Sequence, residues 1–159
     1  MPKNASSSRV WLVAIASICF LLRSPTACAK GSPMLKKQLQ EAMAKVRTGE
    51  TSKLKTEAAE RLATLTRGID PLKVDDITLA ELVSLLDTQE DSVRYWVAAS
   101  LGNLGPRAKV AAPRLLKLLP EVDCLRGSLT SAAAIRVALE RMNETPPPPP
   151  NCNAKEERR

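Results

Sequence analysis

Histidine does not occur in this 159-residue chain. Its absence removes the commonest general acid–base group at neutral pH and the commonest metal ligand. A serine or cysteine nucleophile has no imidazole to activate it. Aromatic residues make up only 3% of the chain, so the core has to be built from Leu, Ala and Val. Such a core suits closely packed helices better than a β-sandwich, which draws on β-branched and aromatic residues. No Cys-x-x-Cys pair is present, which speaks against dithiol redox chemistry. The acidic pairs Asp75-Asp76 and Glu90-Asp91 are read as helix caps and solvated loops. No catalytic residue, metal or cofactor is therefore expected, and the chain is not read as an enzyme.

What is present begins with a leader. Lys3 and Arg9 precede the apolar run Val10 to Leu22, and Ala27-Cys28-Ala29 supplies a small-residue cleavage pattern before Lys30. A helix of that run spans roughly 20 Å, short of a hydrocarbon core of about 30 Å. Residues 1–29 are thus expected to be a signal peptide, the protein to be periplasmic or secreted, and no integral membrane anchor to remain. The alternatives are an uncleaved amphipathic leader and a lipoprotein acylated on Cys28. Pro25-Thr26-Ala27 departs from the Leu-Ala-Gly that usually precedes an acylated cysteine. Cleavage removes Cys19 and Cys28 and leaves Cys124 and Cys152. Two thiols in an exported protein predict one disulfide.

Charge excludes a further class. The net charge of +7 falls to +4 when Lys3, Arg9 and Arg23 leave with the leader. It is patchy: residues 30–67 carry +5, residues 68–93 carry −6 and residues 94–126 carry +4. A nucleic-acid binder usually shows a continuous basic stripe; here an acidic belt interrupts it, and no nucleic acid is expected as partner.

Helical periodicity covers the rest. Ser32-Pro33 reads as an N-cap followed by Pro at the first helical position, with Leu35, Leu39, Ala42, Met43 and Val46 on one face. Thr51 or Ser52 opens a second helix carrying Ala58, Leu62 and Leu65, which Gly68 closes in a C′ role. Thr78-x-x-Glu81 is a capping-box pattern ahead of Leu79, Leu82 and Leu86. Asp91 is placed to cap a fourth helix that Gly105-Pro106 stops. A fifth is expected from about Ala108 to Leu119, ahead of Pro120, its start moved to Ala111 or Ala112 by Pro113. Ser128 or Thr130 opens a sixth that reaches Met142. The six form three pairs, and the pairs repeat. Leu62, Leu101 and Leu139 recur at intervals of 39 and 38 residues, as do Leu65, Leu104 and Met142, and Ala58, Val97 and Ile135. Helix–turn–helix units of about 40 residues that cannot bury their apolar faces alone predict an all-α, short α-α superhelix, a solenoid of about three pairs. The repeat domain is expected over residues 30–142, with a Pro-rich polar tail over 143–159.

The segment from Asp91 to Gly105 resembles the second helix of a HEAT repeat, of the short bacterial type related to phycobilisome-lyase repeats. Val93, Arg94, Ala98, Leu101, Gly102, Leu104 and Gly105 stand where that pattern wants them. The match is good over 78–119, weaker over 128–142, where Ala132 takes the place of Arg94, and weakest over 33–67. The resemblance implies a solenoid whose surface binds proteins or peptides, with Arg94 in a structural role. Arginine near a helix start opposes the dipole, so Arg94 is expected to reach Asp87 or Asp91.

Three groups of residues stand out. Val93, Val97 and Leu101 define an inward face, and neighbours on a helix diverge by about 100°, so Tyr95 and Trp96 cannot both point inward. Together with Asn103 they are candidate binding residues; the alternative packs Trp96 between repeats and lays Tyr95 on the surface. Cys124 and Cys152 form the second group. The tail, stiffened by Pro146 to Pro150, is long enough to run back along the last helix, and the disulfide would hold it over the end of the solenoid; the alternative is a disordered tail with two free thiols. Lys36, Lys37, Lys53 and Lys55 form the third, a candidate anionic-ligand surface. The partner most in keeping with the whole is a protein of unknown identity, bound by an adaptor or scaffold. An inhibitor or immunity-type protein that occludes an enzyme, and a binder of an anionic envelope ligand, are the alternatives. The leader makes one direct prediction: intact-mass measurement of exported protein should give a chain beginning at Lys30, whereas a chain retaining Met1 would remove the signal-peptide reading.

Overall fold

A computed structural model describes residues 33–125 and 130–152; the expected signal segment, Ser32 and Ser128 lie outside them. Six α-helices account for most of the described chain: α1 (Pro33–Thr48), α2 (Ser52–Arg67), α3 (Asp76–Ser84), α4 (Asp91–Asn103), α5 (Ala112–Val122) and α6 (Ser131–Arg141). Short 3-10 segments cover Pro71–Lys73, Leu85–Asp87 and Gly105–Ala111. No strand occurs among the described residues. The fold is an all-α solenoid of three helix pairs. Helix α4 packs along α2 on one side and α6 on the other, while α1, α3 and α5 pack behind this layer.

The periodic rows are the core. Leu62, Leu101 and Leu139 are each fully buried, as are Leu104, Met142, Val97 and Ile135. One core cluster runs through the whole stack, from Leu39 in α1 to Leu139 in α6. The repeat also governs backbone conformation. Gly105 follows α4 at φ +54° and Asn143 follows α6 at φ 62°, one 38-residue period apart. Glycine and asparagine are the residues that enter this left-handed region at least cost, and both place it at the same point of the repeat. Gly68 ends α2 differently, at φ −111°, so its expected left-handed C′ role is not the one it plays.

Several helix ends differ from the sequence expectation, each for a local physical reason. The cap of α3 is Asp75, not Thr78. The Asp75 side chain accepts a hydrogen bond of 2.8 Å from the Thr78 backbone N–H, and Val74 and Leu79 are both buried on either side of it, at the spacing of a hydrophobic staple. Thr78 is thus inside the first turn and buried. Helix α4 is preceded by Glu90 as its N-cap, which frees Asp91 for another task. Helix α5 continues through Pro120 to Val122. Pro120 forfeits the one bond its N–H would make to the Leu116 carbonyl, and burial of Leu118, Leu119 and Val122 carries the helix past it. At the start of α5, Pro113 occupies the first turn, as its missing N–H favours.

The Asp75 cap has a pH consequence. The Lys36 ammonium, 2.8 Å from the carboxylate, and the Thr78 N–H hold this carboxyl down from its ordinary value of 3.8 to about 2. Folding therefore lowers its pKa, so its contribution is fully present above 3.8 and is lost as pH falls through about 2. Thermal melts across that window should show a steeper fall in Tm for the wild type than for Asp75→Asn, which has no such carboxylate to protonate.

Candidate functional site

Helices α2, α4 and α6 run parallel, and polar side chains tie them together at both ends. At the N-terminal ends, Glu90 accepts from Ser52 Oγ at 2.5 Å and from Lys55 Nζ at 2.8 Å. Both contacts hold the Glu90 carboxyl below its ordinary range, Lys55 being the stronger cause. Thr56 and Ser92 share a hydrogen bond of 2.9 Å. On the other side, Asp91 accepts from the backbone N–H of Ser131 at 3.1 Å and from its hydroxyl. Thr130, the N-cap of α6, makes no side-chain cap bond of its own; the carboxylate of the preceding repeat supplies it. Three parallel helices bring three positive dipole ends together, and a carboxylate between each pair compensates them.

Arg94 belongs to this lattice. It is buried, its Nη1 lies 3.6 Å from Asp91 Oδ1 and its Nη2 donates to the Thr88 carbonyl. The expected acidic partner is thus Asp91; Asp87 pairs instead with Arg114. Arg94 holds the Thr88 turn against the carboxylate that caps α6, a structural task.

At the C-terminal ends the link is Asn103. Its Nδ2 donates to the Ala63 carbonyl at 2.9 Å and to Thr66 Oγ1 at 3.3 Å. Its Oδ1 accepts from Arg141 Nη1 at 3.0 Å. Asn103 therefore bridges α2 to α6, and most of its hydrogen-bonding capacity is already committed.

Between these two ties the layer forms a groove of about 270 Å³. All three candidate binding residues line it. Tyr95 and Trp96 stand edge to face, ring centroids 5.0 Å apart at 88°; both are half-buried and both lean on the core. The two sequence alternatives for this pair are thereby combined, since each ring packs inward with one part and borders the groove with another. The floor is made of small residues, Ala63, Ala99, Gly102 and Ala138. A Cβ on Gly102 would stand 3.0 Å from the Ala138 Cα, so any larger residue would press α4 and α6 apart. Arg67 and Arg141 close one end, and Val137 borders α6. Neither arginine nor the alanine floor carries a motif that marks it in the chain. The one available signal was the register of small residues, Ala63 and Gly102 being 39 residues apart.

The other candidates lie elsewhere. Lys36, Lys37, Lys53 and Lys55 do not converge on a common site: each pairs with a carboxylate, of Asp75, Glu41, Glu57 and Glu90 respectively. Cys124 and Cys152 are bonded to one another, with Cα atoms 5.4 Å apart. Residues 143–152 form a strap along α6. Arg136 fastens it by donating to the Pro147 carbonyl and, at 2.6 Å, to Asp123 at the end of α5, and Lys109 pairs with Glu144 at 2.9 Å. No group of His, Cys, Asp and Glu able to hold a metal ion occurs among the described residues. None of their helices is long and apolar enough to cross a membrane.

No protein-family model matches the chain, and no curated protein or solved structure matches it either. The fold and groove define a short helical-repeat protein on their own terms.

The close α4–α6 contact is testable. Gly102→Val should lower stability by about 1–3 kcal/mol through overpacking, read as a lower urea midpoint with unchanged m-value; an unchanged midpoint would mean that the two helices separate freely.

Proposed function

We propose that this protein is an exported, non-catalytic HEAT-like repeat protein that binds a protein partner through the α2–α4–α6 groove, as an adaptor or scaffold. The observation that carries this reading is the convergence of Tyr95, Trp96 and Asn103 on one groove of about 270 Å³. Exposed aromatic edges above a shallow floor are the features that anchor interfaces. The groove is slightly smaller than a typical drug-sized pocket, which suits a side chain or two of a partner. Its lining supplies no nucleophile–base pair and no carboxylate pair. Export is supported by the leader pattern and by the Cys124–Cys152 disulfide, since such bonds persist in oxidising compartments. The HEAT assignment rests on the Asp91–Gly105 pattern and on the repeat spacing.

The test is affinity capture from envelope and secreted fractions with chemical crosslinking, using the exported protein and its Trp96→Ala and Val137→Asp variants. Val137 is 45% exposed, so its replacement leaves the core alone. One stoichiometric protein should be captured by the wild type and lost with both variants, while cooperative melting persists. Capture that ignores both substitutions would place the interface outside the groove.

A further inference from the structure

We propose that the occupant of the groove is an extended partner segment that presents a carboxylate beside an apolar side chain, the carboxylate going to Arg67 and Arg141. This rests on the groove reading above and adds the chemistry of what the groove selects.

The first observation is charge. Twelve residues line the groove; two are arginines and none is an acid. Elsewhere among the described residues some cations have a carboxylate partner and others, such as Arg47 and Arg61, have none; what sets this groove apart is that two arginines meet at one end of it with no acid in the lining. Arg94, Arg107, Arg114 and Arg136 each pair with an aspartate. Among the described residues, neither Arg67 nor Arg141 has a carboxylate partner. Arg141 donates only to the neutral Asn103 amide, which orients its guanidinium without neutralising it. An arginine fork matches a carboxylate in geometry as well as charge. Two such forks, one held by Asn103, form an end wall that favours a negative group and repels a positive one.

The second observation is the apolar part beside it. From the arginine end the groove runs over Gly102 and Ala99 to Tyr95 and Trp96, with Val137 exposed on its α6 border. The floor has no side chain longer than a methyl at Ala63, Ala99, Gly102 or Ala138, so a backbone can lie close to it. Along α4 the rings stand about 10 Å from the arginine end, so an aliphatic or aromatic side chain about three residues from the carboxylate would reach them at the span of an extended chain, about 3.3 Å per residue. The protein's own strap is pinned by Arg136 toward α5 and by the bond to Cys124, so it is committed elsewhere.

The experiment selects from a phage-displayed random dodecapeptide library with the oxidised, exported protein as bait, then measures the enriched peptides by fluorescence anisotropy. Enriched peptides should carry Asp or Glu within about three residues of an apolar residue. Their affinity should fall about tenfold in Arg67→Glu, and as much when the peptide acid is made an amide. A peptide with Lys in place of that acid should bind Arg67→Glu better than wild type. Arg67 is exposed and makes no ion pair with the described residues, so this variant should still melt cooperatively, with only the small loss that an acid in the last turn of α2 brings. Peptides that lack an acid, bind equally to Arg67→Glu and lose affinity in Val137→Asp would overturn the carboxylate inference and leave the groove reading standing. Failure to enrich any peptide sensitive to Val137→Asp would count against both.

Discussion

The close approach of α4 to its two neighbours is the constraint on which the rest depends. Gly102 against Ala138 sets the α4–α6 contact, with a hypothetical Cβ only 3.0 Å from backbone. Two consequences follow from bringing three parallel helices so near. Their N-terminal dipoles crowd one end and require compensation, which Glu90 and Asp91 supply from α4 toward α2 and α6. Their small-residue faces leave a concavity that no large side chain fills, and that concavity is the groove. A bulkier α4 would close it and separate the helices at once. The groove and the packing are therefore the same property of the Ala- and Gly-rich stretch from Ala98 to Gly102.

The fold was largely legible in the sequence because burial in a solenoid is periodic. Leu62, Leu101 and Leu139 repeat in the chain for the same reason that they are buried in the stack: each enters the core that neighbouring units share. The helix ends were less legible, because capping is a competition among neighbours. Asp75 wins over Thr78 once Val74 and Leu79 are buried around it, and burial is a tertiary fact. Asp91 is the sharper case. Its place before a helix reads as a cap for that helix, yet it caps one 40 residues further on. No local pattern encodes a cap donated across the repeat interface.

The site was legible in part. Tyr95 and Trp96 stood out as the aromatic pair of the repeats, and both reach the groove. Asn103 reaches it too, but spends its hydrogen bonds on Ala63, Thr66 and Arg141. Arg67 and Arg141 were invisible as a pair because 74 residues separate them in the chain. Only the parallel arrangement of α2 and α6 brings both to one end. The four lysines were conspicuous in sequence for the opposite reason: as a run of charge they stand out, and folding distributes an acid to each.

The strap gives the molecule a direction. A stack of repeats opens from its ends, since end units have a neighbour on one side only. Here the two ends differ. At the α5–α6 end, the bond between Cys124 and Cys152 and the grip of Arg136 hold tail, turn and last helix together. At the α1–α2 end, Leu54 is half exposed and no comparable tether occurs among the described residues. Covalent restraint among the described residues is thus confined to the last pair, and the first pair is joined to its neighbours by packing and by ion pairs and hydrogen bonds such as Lys36–Asp75 and Arg47–Ser84.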